Sequence, residues 1–125
     1  MEEILVLTRR IGNLFNEITD ITTQMADAID RRDEVSVGLI IAMRSEPIER
    51  LSIADRALRN HLHELDEEDS QRIRAILNGE EDRAIDPIEK ILAGQAAMNI
   101  RTHHKLVELD KVLSRKLAQD KSIYQ

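Results

Sequence analysis

Ile4, Leu7, Ile11, Leu14, Ile18, Ile21, Met25 and Ala28 follow one another at alternating steps of three and four. Apolar residues repeating about every 3.5 positions lie on one narrow stripe of an α-helix, the stripe that meets neighbours running nearly parallel to it. A helix of about 27 residues rising about 1.5 Å each is roughly 40 Å long. Between the stripe positions stand Thr8, Asn13, Asp20 and Thr23, as a water-facing surface requires. Ile, Thr and Asn are mediocre helix formers, so packing against other helices must hold this one.

Three more helices follow on local signals. Asp30-Arg31-Arg32-Asp33 is a charged corner, and Asp33 is a candidate N-cap. The second helix runs to about Leu65 on a stripe of Val37, Ile41, Arg44, Ile48, Leu51, Asp55, Leu58, Leu62 and Leu65. Pro47 lies inside it, which predicts a kink, or a break with Ser45 capping a restarted helix; the continuous stripe favours the kink. A short third helix is capped by Asp66, carries Glu67, Glu68 and Asp69 at its positive end, and stops at Asn78-Gly79. Glu80 to Ile85 is an exposed link. Asp86-Pro87-Ile88-Glu89 then combines a cap, a first-turn proline and a capping-box glutamate. The last helix continues to about Ala118 on Ile88, Leu92, Gln95, Asn99, Thr102, Leu106, Leu109 and Leu113, apolar at both ends and polar between. Residues 119–125 are expected to fray. The expected fold is all-α: one domain over 1–125, an elongated antiparallel bundle or coiled coil of three long helices and one short one.

Composition removes several classes of function. Among 125 residues Phe15 and Tyr124 are the only aromatic side chains, too few for a base-stacking nucleic-acid platform. A net charge of −6 opposes nucleic acid or an anionic membrane as main partner. No cysteine means no disulfide, no thiolate chemistry and no cysteine-held metal. The longest apolar run, Val37 to Met43, is far shorter than the roughly 20 residues of a membrane span. The start, MEEILVLTRR, is acidic before it is apolar, the reverse of a signal peptide, so the expected location is cytoplasmic.

Catalytic patterns are likewise missing. Gly12, Gly38, Gly79 and Gly94 are scattered, so no phosphate-cradling loop forms. No glutamate stands three residues before any of His61, His63, His103 and His104, as a di-iron bundle requires. Those histidines are followed three residues later by Glu64, Asp66, Leu106 and Val107, where a phosphotransfer module carries lysine. His63 with Glu67 and His104 with Glu108 have metal-like spacing, best read as surface pairs. The acidic runs at 64–69 and 80–82 lack the turn glycine and spaced ligands of a calcium loop. Arg9-Arg10 and Arg31-Arg32 are expected to pair with neighbouring acids. The chain is expected to use no cofactor and no metal and not to be an enzyme.

Two apolar excesses remain. Consecutive apolar residues from Leu39 to Met43 point around the whole helix; either this segment is sandwiched internally, or Leu39, Ile40 and Met43 meet another protein, such as a second copy. Beside its stripe the last helix carries Ile91, Met98, Ile100 and Val112, an excess that serves as ordinary core or as the wall of a groove for an amphipathic helix.

The layout resembles the FlgN family of flagellar type III export chaperones. The resemblance rests on the corner Ala28-Ile29-Asp30-Arg31-Arg32-Asp33, on Arg44 ahead of Ile48-Glu49-Arg50-Leu51, on Leu65-Asp66-Glu67-Glu68-Asp69 with Ile73 and Leu77, and on Asn99 ahead of Leu106-Val107 and Leu109. It implies a cytoplasmic chaperone that holds the C-terminal amphipathic helices of hook–filament junction proteins and delivers them to an export-gate component. By position the client surface would be Asn99, Leu106, Leu109, Val112, Leu113 and Leu117. A tyrosine near the tail, here Tyr124, would serve at the gate. The competing expectation is a structural coiled coil or adaptor that assembles through its heptad stripes.

Overall fold

The structure, a computed structural model, describes residues 1–123. It holds four α-helices: α1 Glu2–Asp30, α2 Glu34–Glu64, α3 Glu67–Leu77 and α4 Pro87–Ile123, with one short 3₁₀ turn, Glu81–Arg83. Among the described residues there is no strand. The all-α expectation holds, and α4 runs past Ala118 to Ile123. Tyr124 lies outside the described residues.

The caps form where the sequence marks them. Asp33 accepts from the Ser36 N–H at 3.1 Å, Asp66 from the Asp69 N–H at 2.8 Å and Asp86 from the Glu89 N–H at 2.8 Å. Glu89 does not return to the Asp86 backbone as a full capping box would. Its carboxylate is buried and accepts from Arg72 Nε of α3 at 2.8 Å, tying α3 to the start of α4. Gly79 (φ 105°) ends α3 with the Gly79 N–H on Ile76 O and the Glu80 N–H on Ala75 O. The same paired closure ends α1, with the Asp33 N–H on Ala28 O and the Arg32 N–H on Ile29 O. There the left-handed position is filled by Arg32 (φ 56°), at a conformational cost that glycine would avoid.

Every stripe residue of α1 is buried, from Ile4 at 2% exposed to Ala28 at 0%. The helix is covered on two sides, by α2 running antiparallel and α4 running parallel to it. No Cα atom of α2 comes within 8 Å of one of α4 among the described residues, so α1 is the spine between them. An assembly through the α1 stripe has no free stripe to use. α3 crosses the end of the bundle that carries residue 1. It approaches α2 and α4 but not α1, so it occupies the fourth corner there. Ile73 and Ile76 of α3 are buried with Ile4, Leu7, Leu58, Leu62 and Leu92.

α2 departs from its expected stripe. Leu58 and Leu62 are buried, Val37, Leu51 and Leu65 are half-buried, and Ile41 and Ile48 are exposed. The reason is that α2 packs its backbone closely on one long neighbour, α1, and does not approach α4 in the same way. The helix is unbroken through Pro47, which is itself buried. Ser45 donates to Ile41 O at 3.2 Å and caps no restarted helix. No ion pair of Arg9, Arg10, Arg31 or Arg32 forms among the described residues, contrary to their expected pairing. Besides Arg72–Glu89, the pairs that form across helices are Arg50–Glu17 and Arg44–Asp110, with Lys116–Asp30 at the far end.

Candidate functional site

α3 is about 16 Å long and α4 about 55 Å, so the fourth corner is filled only at one end. Below Leu77 the slot between α2 and α4 is an open groove with α1 as its floor. The upper section is a cavity of about 270 Å³ with Ile11 and Phe15 on the floor, Leu58 on one wall and Ala96 and Ile100 on the other. Leu77 closes its top, and the Phe15 and His103 rings lie 5.2 Å apart across it. The lower section, about 480 Å³, has Met25 on the floor, Ile41 and Ile48 on the α2 wall and Leu113 and Leu117 on the α4 wall.

One polar crossing lies within the lower section, between Ile41 and Ile48 on the α2 wall. Arg44 of α2 donates from Nε to Thr22 Oγ1 at 3.0 Å and from Nη2 to Asp110 Oδ1 of α4 at 2.7 Å. The Thr22 hydroxyl passes its own proton to Ile18 O at 2.7 Å. Arg44 stands at a stripe position because its guanidinium replaces the apolar contact that the separated walls cannot make. The rest of the floor is dry: Thr8 and Thr19 turn their hydroxyls back to Ile4 O and Phe15 O.

The residues expected to bind a client are not gathered on one surface. Leu106 and Leu113 are buried in the chain's own core, Leu113 against Met25 and Ile29. Leu117 is half-buried on that cluster and also lines the lower groove. Leu109 is half-buried, and Val112, 41% exposed, lines neither section. Asn99 lines the upper section, and its amide is engaged at both ends: Nδ2 donates to Thr8 O and Oδ1 accepts from Gln95 Nε2, both at 2.9 Å. The polar middle of α4 is thus a latch onto α1, seated against Gly12. Leu39 and Met43 are exposed, whereas Ile40 is half-buried on the Met25–Ile29–Leu113 cluster. The internal sandwich is therefore absent from the single chain.

No family model, curated protein or solved structure matches the chain. The groove must be interpreted from its own chemistry. Among the described residues there is no cluster of three or more potential metal ligands, and no helix is long and apolar enough to cross a membrane. Sequence reasoning passed over Phe15, Ile41, Ile48 and Asp110 as wall and floor residues. The only local signal was the apolar excess around Ile41, because a groove depends on where α3 ends relative to α4.

Proposed function

We propose that the chain is a non-enzymatic helix-holding protein whose open groove takes an amphipathic helix from a client. The carrying observation is the half-empty fourth corner: α3 fills it above Leu77, and exposed Ile41, Ile48 and Ile100 border the remainder. From Ile100 to Leu117 the slot is about 25 Å long, room for a helix of some four to five turns. An apolar stripe on the client would cover the two sections, and a polar client residue would sit above Arg44 and Asp110. The likeness of layout to FlgN-type chaperones supports the finer reading: a cytoplasmic export chaperone whose client is the C-terminal helix of a hook–filament junction protein.

Calorimetric titration of the full chain with C-terminal fragments of hook–filament junction proteins tests this. Ile41 (50% exposed) and Ile48 (42%) can be changed with little effect on the core. Ile41→Asp and Ile48→Asp should each weaken binding tenfold or more, about 1.4 kcal/mol, with helix content unchanged by circular dichroism. If no fragment binds below about 100 μM, about −5.5 kcal/mol, the export reading fails.

A further inference from the structure

The outer face of α2 carries a second stripe, separate from the groove. Val35, Leu39, Ala42, Glu46, Glu49 and Ile53 alternate in steps of four and three, and all six are exposed. Val35 is 75% and Leu39 62% exposed, with Met43 beside them at 53%. Four of the six are apolar, and exposed apolar residues at coiled-coil spacing offer one side of a helix–helix contact. Nothing lies within 4 Å of where a Gly38 Cβ would stand, so a second backbone can approach closely there.

The charges on this face select its occupant. Arg31 and Arg32 stand ahead of the stripe between Asp30, which pairs with Lys116, and Asp33, which caps α2; Glu46, paired with Arg50 at 3.5 Å, and Glu49 stand in its second half. We propose that a second copy of the chain covers this stripe, α2 against α2 and antiparallel, about a two-fold axis between Leu39 and Ala42. In that register Leu39 faces the other copy's Ala42, Val35 faces its Glu46, and Arg32 comes level with its Glu49. Arg32 meets the partner's Glu49, and the symmetry makes that contact twice. A parallel pair would set Glu46 on Glu46 and Glu49 on Glu49, which repel. In this register α2 pairs with α2 over residues 34–47, the first part of the segment that α1 alone leaves bare. It uses neither Ile41 nor Ile48, so the groove stays open in the dimer.

The test is the mass of the full chain in solution, by sedimentation and light scattering near about 100 μM, where a contact of −5.5 kcal/mol or better is populated. The expected mass is twice 14.4 kDa. Leu39→Glu should give a monomer with unchanged helix content. Arg31→Glu/Arg32→Glu and Glu46→Lys/Glu49→Lys should each be monomeric alone and dimeric when mixed. Because the chain has no cysteine, Val35→Cys mixed with Glu46→Cys should oxidise to a mixed disulfide, whereas a parallel pair would join Val35→Cys to itself. A monomeric wild-type chain, a dimer that survives Leu39→Glu, or a parallel crosslink overturns the proposal. Ile41→Asp and Ile48→Asp should stay dimeric; monomers there would place the contact in the groove and also overturn it. Loss of client binding in those variants without a change of mass keeps the two readings apart.

Discussion

A Cβ on Gly12 would fall well inside contact distance of Asn99 Oδ1 and 2.7 Å from Gln95 Nε2. The missing side chain lets two amides of α4 lie against α1 and lets Asn99 reach the Thr8 carbonyl. Gly12→Ala gains about 1 kcal/mol of helix propensity but displaces the latch, which strands buried polar groups at about 1–3 kcal/mol. The expected net effect in denaturant unfolding is a loss of about 1 kcal/mol. In a Gln95→Ala/Asn99→Ala background the sign should reverse, because only the propensity gain remains. Destabilisation in both backgrounds would show that Gly12 is needed for another reason. The amides were visible in the sequence as a polar interruption, but their target was not: Thr8 lies 91 positions away, and a lone glycine between stripe residues carries no mark of a close approach.

At the scale of the element, the helix starts were legible and the helix neighbours were not. A cap involves residues three apart, so Asp33, Asp66 and Asp86 could be read directly. The Glu89–Arg72 pair and the bare outer half of α2 depend on elements far away in the chain, whereas the continuity of α2 through Pro47 was already indicated by its stripe. The caps give a pH dependence. Hydrogen bonds from the Ser36 hydroxyl, and then from its N–H, hold the Asp33 carboxyl below its ordinary value. The Glu89 N–H does the same for Asp86. A carboxyl depressed on folding adds stability above its unfolded pKa of about 3.9, and that stability is lost as pH falls through the folded value. Melting temperature should therefore stay level from neutral pH toward about 5 and fall below about 4. Asp33→Ala/Asp86→Ala should melt lower at pH 7 and show a shallower acid fall; an unchanged acid slope would remove the caps from the account.

Across the whole molecule the core is uneven. The end with α3 buries side chains from four helices, whereas the other end rests on Met25, Ile29 and Leu113 with half-buried Val37, Ile40 and Leu117. Amide hydrogen exchange should report this within one helix. Amides of residues 37–50 of α2 should exchange faster than those of 54–62 in a monomeric sample such as Leu39→Glu. Equal protection along α2 would mean that the thin end is held by more than the packing described. The heptad stripe of α1 fixed the fold class and the pairing of long helices, because a stripe of that length has only one use. Its sharing between two neighbours whose backbones stay apart was not legible, since a stripe records that it is covered and not by how many helices.

That sharing bears on the order of assembly. The hairpin of α1 and α2 closes across three residues, 31–33, whereas α4 must return over most of the chain to reach α1. Chain-closure entropy favours the hairpin first, and on the ribosome it also emerges first. Until α4 docks, the hairpin leaves the α4-facing side of α1 wet, including Met25 and Ile29, which pack with Leu113. A nascent chain released at Asp86 would therefore be a sticky hairpin prone to aggregate, and α4, made after α1 and α2, is the helix that renders them safe.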